Sequence, residues 1–395
     1  MRHRFSKIPV RYVVYVAVAL GALTVAYSYA YAKNDTSSIA KINTCFPLSK
    51  EEERTCLEAI VRPLLAIMTA GELMEELQQS LDHLQCHRTG HVIGSELRQR
   101  HGSLFPALDQ CTAACTSGCI HGVVYQDLIH TFGDYNIDTV NMDFVKSEGV
   151  QACNLGIHAC HGVGHLLYRL YKSYIPALEY CKTFATEGQR DMCQNGVFME
   201  SYPAVKSGEL SAVTLESLQE PDELLYPCHG LPSEFFAPCY RLVYLNQWAI
   251  FDMLGLDDYT TRANKTFEAC LSLSPGEERQ YCLIGAGQQI ARTSKLSDPT
   301  SYCRNLDLVE DRRKCNFGFA MASVNYGRVE NAWNYCEAIA HNEKHACYYG
   351  IFSGTLVPDS NLEPSQACSG THDATCLEAL EIYDTVHRTQ YLGGA

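Results

Sequence analysis

Apolar residues fall along this 395-residue chain in two patterns. The first is a single run from Tyr12 to Ala32, 21 residues without a charge, behind Arg2, Arg4, Lys7 and Arg11. A helix crosses a bilayer core with about 20 apolar residues. The basic flank assigns residues 1–11 to the cytoplasmic side and the chain beyond residue 32 to the far side. Ala30-Tyr31-Ala32 also fits a signal-peptidase site, so residues 12–32 read as a transmembrane anchor or a cleaved signal, and export follows from either. The second pattern recurs. An alanine- or aromatic-rich stretch ends in Cys, a polar and often acidic loop follows, and Cys-x-x-Gly opens the next apolar run. "EYCKTFATEGQRDMCQNGVFME", "EACLSLSPGEERQYCLIGAGQQIA", "SYCRNLDLVEDRRKCNFGFAMAS" and "NYCEAIAHNEKHACYYGIFSG" carry it most clearly. No useful strand-like alternation lies between them. The expected fold is all-α: disulfide-stapled helical-hairpin repeats, solenoid-like, after one N-terminal transmembrane or signal helix.

All 20 cysteines lie beyond the apolar run. The tight pairs of zinc ribbons are missing, so this number reads as a disulfide framework formed in an oxidising compartment. The recurring pairs are Cys181/Cys193, Cys270/Cys282, Cys303/Cys315 and Cys336/Cys347, joined by Cys45/Cys56, Cys228/Cys239 and the shorter Cys368/Cys376. Each would clamp a hairpin at its turn, worth about 3 kcal/mol in the chain-entropy model. The glycine three residues after the second Cys costs about 1 kcal/mol in helix propensity, which close approach of two helix backbones explains. Over roughly residues 100–380 this layout resembles the cysteine-rich Sel1/TPR-like helical repeats. The resemblance implies a curved scaffold and protein binding, and implies no chemistry.

The first half of the array is a duplication. "CHRTGH" at Cys86–His91 recurs as "CHGVGH" at Cys160–His165, an offset of 74. "SLFPALDQC" at Ser103 recurs as "SYIPALEYC" at Ser173, an offset of 70, and "GCIHGVVYQD" around Cys119 matches "MCQNGVFMES" around Cys193, again at 74. Equivalent staples Cys111–Cys119 and Cys181–Cys193 leave Cys86 with Cys115 and Cys153 with Cys160. In each C-H-x-x-G-H the two histidines are i and i+4, on one helix face, where two imidazoles reach one metal ion. His87, His91, His161 and His165 are therefore candidate metal ligands. His121 is a fifth, with Asn195 as its counterpart. Glu200, where the first copy has Gln126, is a candidate ligand or catalytic acid/base. His158 is a minor candidate, and His229, His341 and His345 read as surface or capping residues. Imidazole suits Zn, Cu or Fe. The metal reading requires the histidines to converge on one point. Otherwise they are structural, bonding carbonyls at helix ends.

The formal charge is −14, and −18 without the four basic residues of the first segment. So acidic a surface argues against nucleic acid as a partner. Covalent-haem, H-E-x-x-H, G-x-S-x-G and phosphate-loop motifs are missing, and "GAGQQIA" at Gly285 reads as helix packing. The expected layout is a basic tip (1–11), the apolar segment (12–32), a linker with a first stapled stretch (33–71), the duplicated histidine module (72–215), plainer stapled repeats (216–384) and a tail (385–395). Tyr348, Tyr349, Phe317, Phe319, Tyr326 and Trp333 are core or line a groove. The two functional readings are an extracytoplasmic metalloenzyme or metal-handling protein with a transition-metal site, its reaction and substrate unknown, and a hardened scaffold for a protein or cell-envelope partner.

Overall fold

The computed structural model describes residues 37–81, 83–112, 114–132, 142–155, 157–207, 223–253, 255–256, 258–292, 298–326, 328–355, 368 and 374–391. Among them are 18 α-helices and no strand. The basic and apolar segment 1–32 lies outside the described residues. Among those described, no helix is long and apolar enough to cross a membrane.

Three leading helices, α1 (Ser37–Asn43), α2 (Lys50–Leu64) and α3 (Ala70–Ser80), run into α4 (His83–His101). A short α5 (Leu104–Leu108) returns to α6 (Ala114–Phe132), α7 (Met142–Leu155) to α8 (Ile157–Tyr171), and α9 (Tyr174–Cys181) to α10 (Glu187–Ser207). The second half continues with α11 (Phe236–Met253), α12 (Tyr259–Ser272), α13 (Glu277–Arg292), α14 (Ser301–Arg304), α15 (Val309–Asn325), α16 (Val329–Ala338), α17 (His341–Thr355) and α18 (Ala374–Tyr391). The long helices α4, α6, α8, α10, α11, α13, α15, α17 and α18 pack each against the next.

Helix starts are written locally. Ser49 with Glu52 and Thr69 with Glu72 form capping boxes, and Thr186 exchanges hydrogen bonds with Gln189 ahead of α10. Such boxes satisfy two backbone donors that a helix otherwise leaves unpaired. The long helices begin earlier than the second cysteine of each staple: α13 starts at Glu277, ahead of Cys282, and α15 at Val309, ahead of Cys315. The acidic residues expected in the loop, Glu277 and Glu278 or Glu310 and Asp311, instead form the first turn. Negative charge is favoured there by the exposed N–H groups of the helix start.

Ten disulfides use all 20 cysteines, including Cys86–Cys115, Cys111–Cys119, Cys153–Cys160 and Cys181–Cys193, as the duplication suggested. This framework belongs to an oxidising compartment. Ion pairs join neighbouring long helices: Arg241 to Asp191 at 3.0 Å, Arg279 to Asp311 at 2.6 Å and Arg312 to Glu343 at 2.6 Å.

Glycines set the spacing and register of the row. A Cβ on Gly122 would meet the His91 carbonyl oxygen at 2.1 Å, one on Gly196 that of His161 at 2.0 Å, and one on Gly318 that of Ile284 at 2.0 Å. The backbones touch at these points. Gly285 makes the same approach to Arg241, so "GAGQQIA" is indeed helix packing. Residues 87 and 91 face 118 and 122, and residues 317 and 321 face 350 and 354, so adjacent long helices run parallel. The residue before each such glycine therefore sits at a common level. Along the row that level is occupied by His91 and His121, by His161 and Asn195, and by Arg241, Ile284, Phe317 and Tyr349, and the His121–His161 ring stack and the Arg241–Asn195 hydrogen bond join the three groups.

This register revises the alignment of the duplicated motif. Gly94 lies against the Cys119 carbonyl as Gly164 lies against that of Cys193, so the first helices of the two copies superpose at an offset of 70. His91 is the structural counterpart of His161, and the second C-H-x-x-G-H is displaced by four residues, about one helical turn. The C-H-x-x-G-H motifs that match at 74 therefore sit one turn apart in the superposed helices, whereas the matches around Cys119 and Cys193 keep the offset of 74.

Candidate metal centre

Three consecutive parallel helices bring the histidines together. His91 (α4), His121 (α6) and His161 (α8) share one level; His87 lies one turn before on α4 and His165 one turn after on α8. The ligand atoms of His87, His91 and His121 all lie within 4.8 Å of one another, and so do those of His121, His161 and His165. Ring centroids are 4.7 Å apart for His87/His91, 5.1 Å for His87/His121, 4.8 Å for His161/His165 and 5.6 Å for His121/His165. His121 and His161 stack at 4.4 Å. The convergence runs across α6, the helix packed against both α4 and α8.

Burial is deep for side chains of this polarity. His87, His121, His161 and His165 are buried, His121 to 3% exposure, and His91 is half-buried. Two of the rings are anchored through Nδ1. That atom of His87 lies 3.0 Å from the Cys115 carbonyl oxygen, and that of His165 lies 2.8 Å from a Glu200 carboxylate oxygen. Donating Nδ1–H to oxygen leaves Nε2 as the lone-pair atom, the arrangement in which a fixed hydrogen-bond acceptor orients an imidazole for a metal. His91 Nε2 lies 3.0 Å from His87 Nε2. Two nitrogens bound tetrahedrally to one ion at about 2.0 Å are about 3.3 Å apart, so this pair already has ligand spacing. The 4.8 Å outer limit is wider, and closing the shell would draw the rings inward.

Both ring nitrogens of His121, and Nε2 of His165, are buried without a hydrogen-bond partner. A buried polar atom left unpaired costs about 1–3 kcal/mol, and native interiors contain few of them. The repeat does not demand histidine here. At the same level later repeats place Arg241, Ile284, Phe317 and Tyr349, and Gln288 stands where His165 does. The architecture thus accommodates arginine, isoleucine, phenylalanine and tyrosine at the level where the first repeats carry histidine.

Charge favours the neutral ligand form. Burial pushes His91 well below the usual histidine range, helped by His87, His165, Arg169 and Arg88. Burial does the same to His121, helped by His161, His87, His165 and His91. The two guanidiniums are locally neutralised. Arg88 pairs with Glu53, and Arg169 pairs with Glu200 while its guanidinium lies 4.6 Å from the Tyr125 ring centroid and bonds the Tyr125 hydroxyl. Burial raises the Glu200 pKa, but the hydrogen bond from His165 and the charges of His165 and Arg169 outweigh it and hold the carboxyl below its ordinary value.

All five candidate histidines are thus in one cluster, and Glu200 bears on it through His165. Sequence reading missed Arg169, Tyr125 and the Cys115 carbonyl. Arg169 had a signal, since it follows His165 by four residues on the same helix face. The side chain of His158 lies outside the described residues. His229 and His341 are exposed, as expected, whereas His345 is half-buried. Comparison with protein-family models, with curated proteins and with solved structures finds no match for this chain.

Proposed function

We propose that this is an exported, membrane-associated helical solenoid whose histidine cluster holds a transition metal, Zn, Cu or Fe. The observation that carries the reading is His121, buried with both ring nitrogens unpartnered at the meeting point of two i, i+4 histidine pairs. Imidazole nitrogen is a ligand for these metals and not for Ca or Mg. An ion would satisfy the unpaired atoms that the fold leaves inside. The apolar segment 12–32 would tether the array to the membrane with its folded part on the extracytoplasmic side.

In this reading His87, His91, His121, His161 and His165 bind the metal directly. Both Glu200 oxygens are engaged, one by His165 and one by Arg169, which suits a positioning residue better than a proton shuttle. Glu200→Gln is expected to weaken metal affinity about 10- to 100-fold, the usual cost of losing such a partner. A competition titration with a chromophoric chelator reads this. An unchanged affinity removes Glu200 from the site.

Elemental analysis of the full chain, produced in an oxidising compartment, tests the reading. The control is the double variant His161→Ile/His165→Gln, which imports the residues that the later repeat places at Ile284 and Gln288. Stoichiometric metal in the parent, reduced in a variant that keeps its helicity and its ten disulfides, supports a metal centre. A folded parent that binds no Zn, Cu or Fe leaves the scaffold reading. One observation favours the latter as an additional role: Phe317 and Tyr349 stack at 5.9 Å and are only half-buried, an aromatic surface for a protein or cell-envelope polymer. Tyr348 and Phe319 are buried and belong to the core.

A further inference from the structure

We infer that the centre is dinuclear, with His121 bridging two transition-metal ions as an imidazolate. This rests on the metal reading above and adds a stoichiometry and a bridging ligand to it. The five histidines form two triads that share one member. His87 and His91 complete one with His121, and His161 and His165 complete the other with the same residue. The two chelating pairs sit on α4 and α8, and α6, which carries His121, packs against both. The two pairs thus reach His121 from two different helices.

Among His87, His165 and His121 the nitrogens differ in a way that fits this division. A terminal histidine ligand uses one ring nitrogen for the metal and donates N–H from the other to a fixed acceptor. His87 and His165 do this, through the Cys115 carbonyl and the Glu200 carboxylate. His121 has no such acceptor: both of its nitrogens are buried and unpartnered. As a terminal ligand it would leave one N–H unsatisfied, at a cost of about 1–3 kcal/mol. As a bridge it leaves nothing unsatisfied, since each nitrogen bonds one ion. The proton balance is simple. Neutral imidazole carries one ring proton, which passes to solvent when the second ion binds, and no electron moves. Two divalent ions so close together are opposed by their mutual repulsion. The negative imidazolate between them offsets part of it.

Copper(II) is the probe, because two copper(II) ions joined through an imidazolate couple their unpaired spins and lose electron paramagnetic resonance intensity. Full-length chain, stripped of metal and titrated with copper(II), is expected to take up two ions per chain with a spin count well below the copper present. His121→Asn, the residue that the next repeat places at Asn195, is expected to restore the full spin count of whatever copper it retains. Helicity and free-thiol content check that this variant is folded. If it is not, the stoichiometry and spin count of the parent decide by themselves. One copper per chain overturns the dinuclear inference while leaving the metal centre standing. Two coppers with a full spin count overturn the bridge. No bound copper, zinc or iron overturns both readings.

Discussion

Gly318→Ala is expected to destabilise the protein by about 3 kcal/mol or more, at the upper end of overpacking costs. The sign is opposite to what helix propensity alone gives, since Ala is better than Gly in a helix interior by about 1 kcal/mol. The new Cβ would lie 2.0 Å from the Ile284 carbonyl oxygen, 2.8 Å from its carbon and 3.0 Å from the Ile284 Cα. All three are backbone atoms, so no rotamer change relieves the clash and the two helices must separate. Separation loosens α13 from α15 and the Arg279–Asp311 ion pair between them. Gly230→Ala is the control, because nothing lies within 4 Å of a Cβ there; its effect should stay within about 0.5 kcal/mol. Denaturant midpoints of the two variants make the comparison. Similar midpoints for both would remove the glycine contacts as the device that sets helix spacing.

The metal-stripped chain is expected to lose stability steeply as pH falls below about 6.5, the ordinary histidine value. His91 and His121 are held well below that value in the fold, by burial first and by the neighbouring histidines and arginines second. The unfolded chain then binds protons that the folded chain refuses, so stability rises with pH across the window. The stabilisation is whole above the unfolded value and is lost progressively down to the depressed folded values. The slope is about 1.4 kcal/mol per pH unit for each histidine, or about 2.7 kcal/mol per unit for the two together. Glu200 acts in the same direction but in a lower window. Its depressed pKa gives stability present above its ordinary value of 4.5 and lost beneath it. If the cluster holds a metal as proposed, the ion should protect the chain until acid displaces it, because metal and proton compete for the same nitrogens. Urea midpoints at pH 7, 6 and 5, with and without zinc, read both effects. A flat profile for the metal-free chain would show that the cluster is not buried in neutral form.

Much of the architecture was legible because it rests on local rules. Disulfides across a turn couple residues close in sequence, so Cys270–Cys282 and Cys303–Cys315 follow from the repeat alone. Even the longer Cys86–Cys115 bridge, 29 residues apart, followed by elimination once the duplication was seen. The i, i+4 histidine pairs were legible for the same reason, since helix geometry places them on one face whatever surrounds them. The first turns of α13 and α15 were misplaced into loops, because acidic polar residues look alike in a loop and at a helix start.

By itself, then, the sequence carried the helical class, the cysteine spacings that the ten disulfides join and the two i, i+4 histidine pairs, and its cysteines pointed to an oxidising compartment. Tertiary structure decided the register of one helix against the next, and with it which histidine is whose counterpart. Register is set where glycines let backbones touch, and no periodicity within a single helix reveals which residue of the neighbour lies opposite. The same contacts decided that His121 stands between the two pairs with both nitrogens unpaired. They also decided that Glu200 and Arg169 lie behind His165, because residues on α6, α8 and α10 meet only once the parallel row has formed.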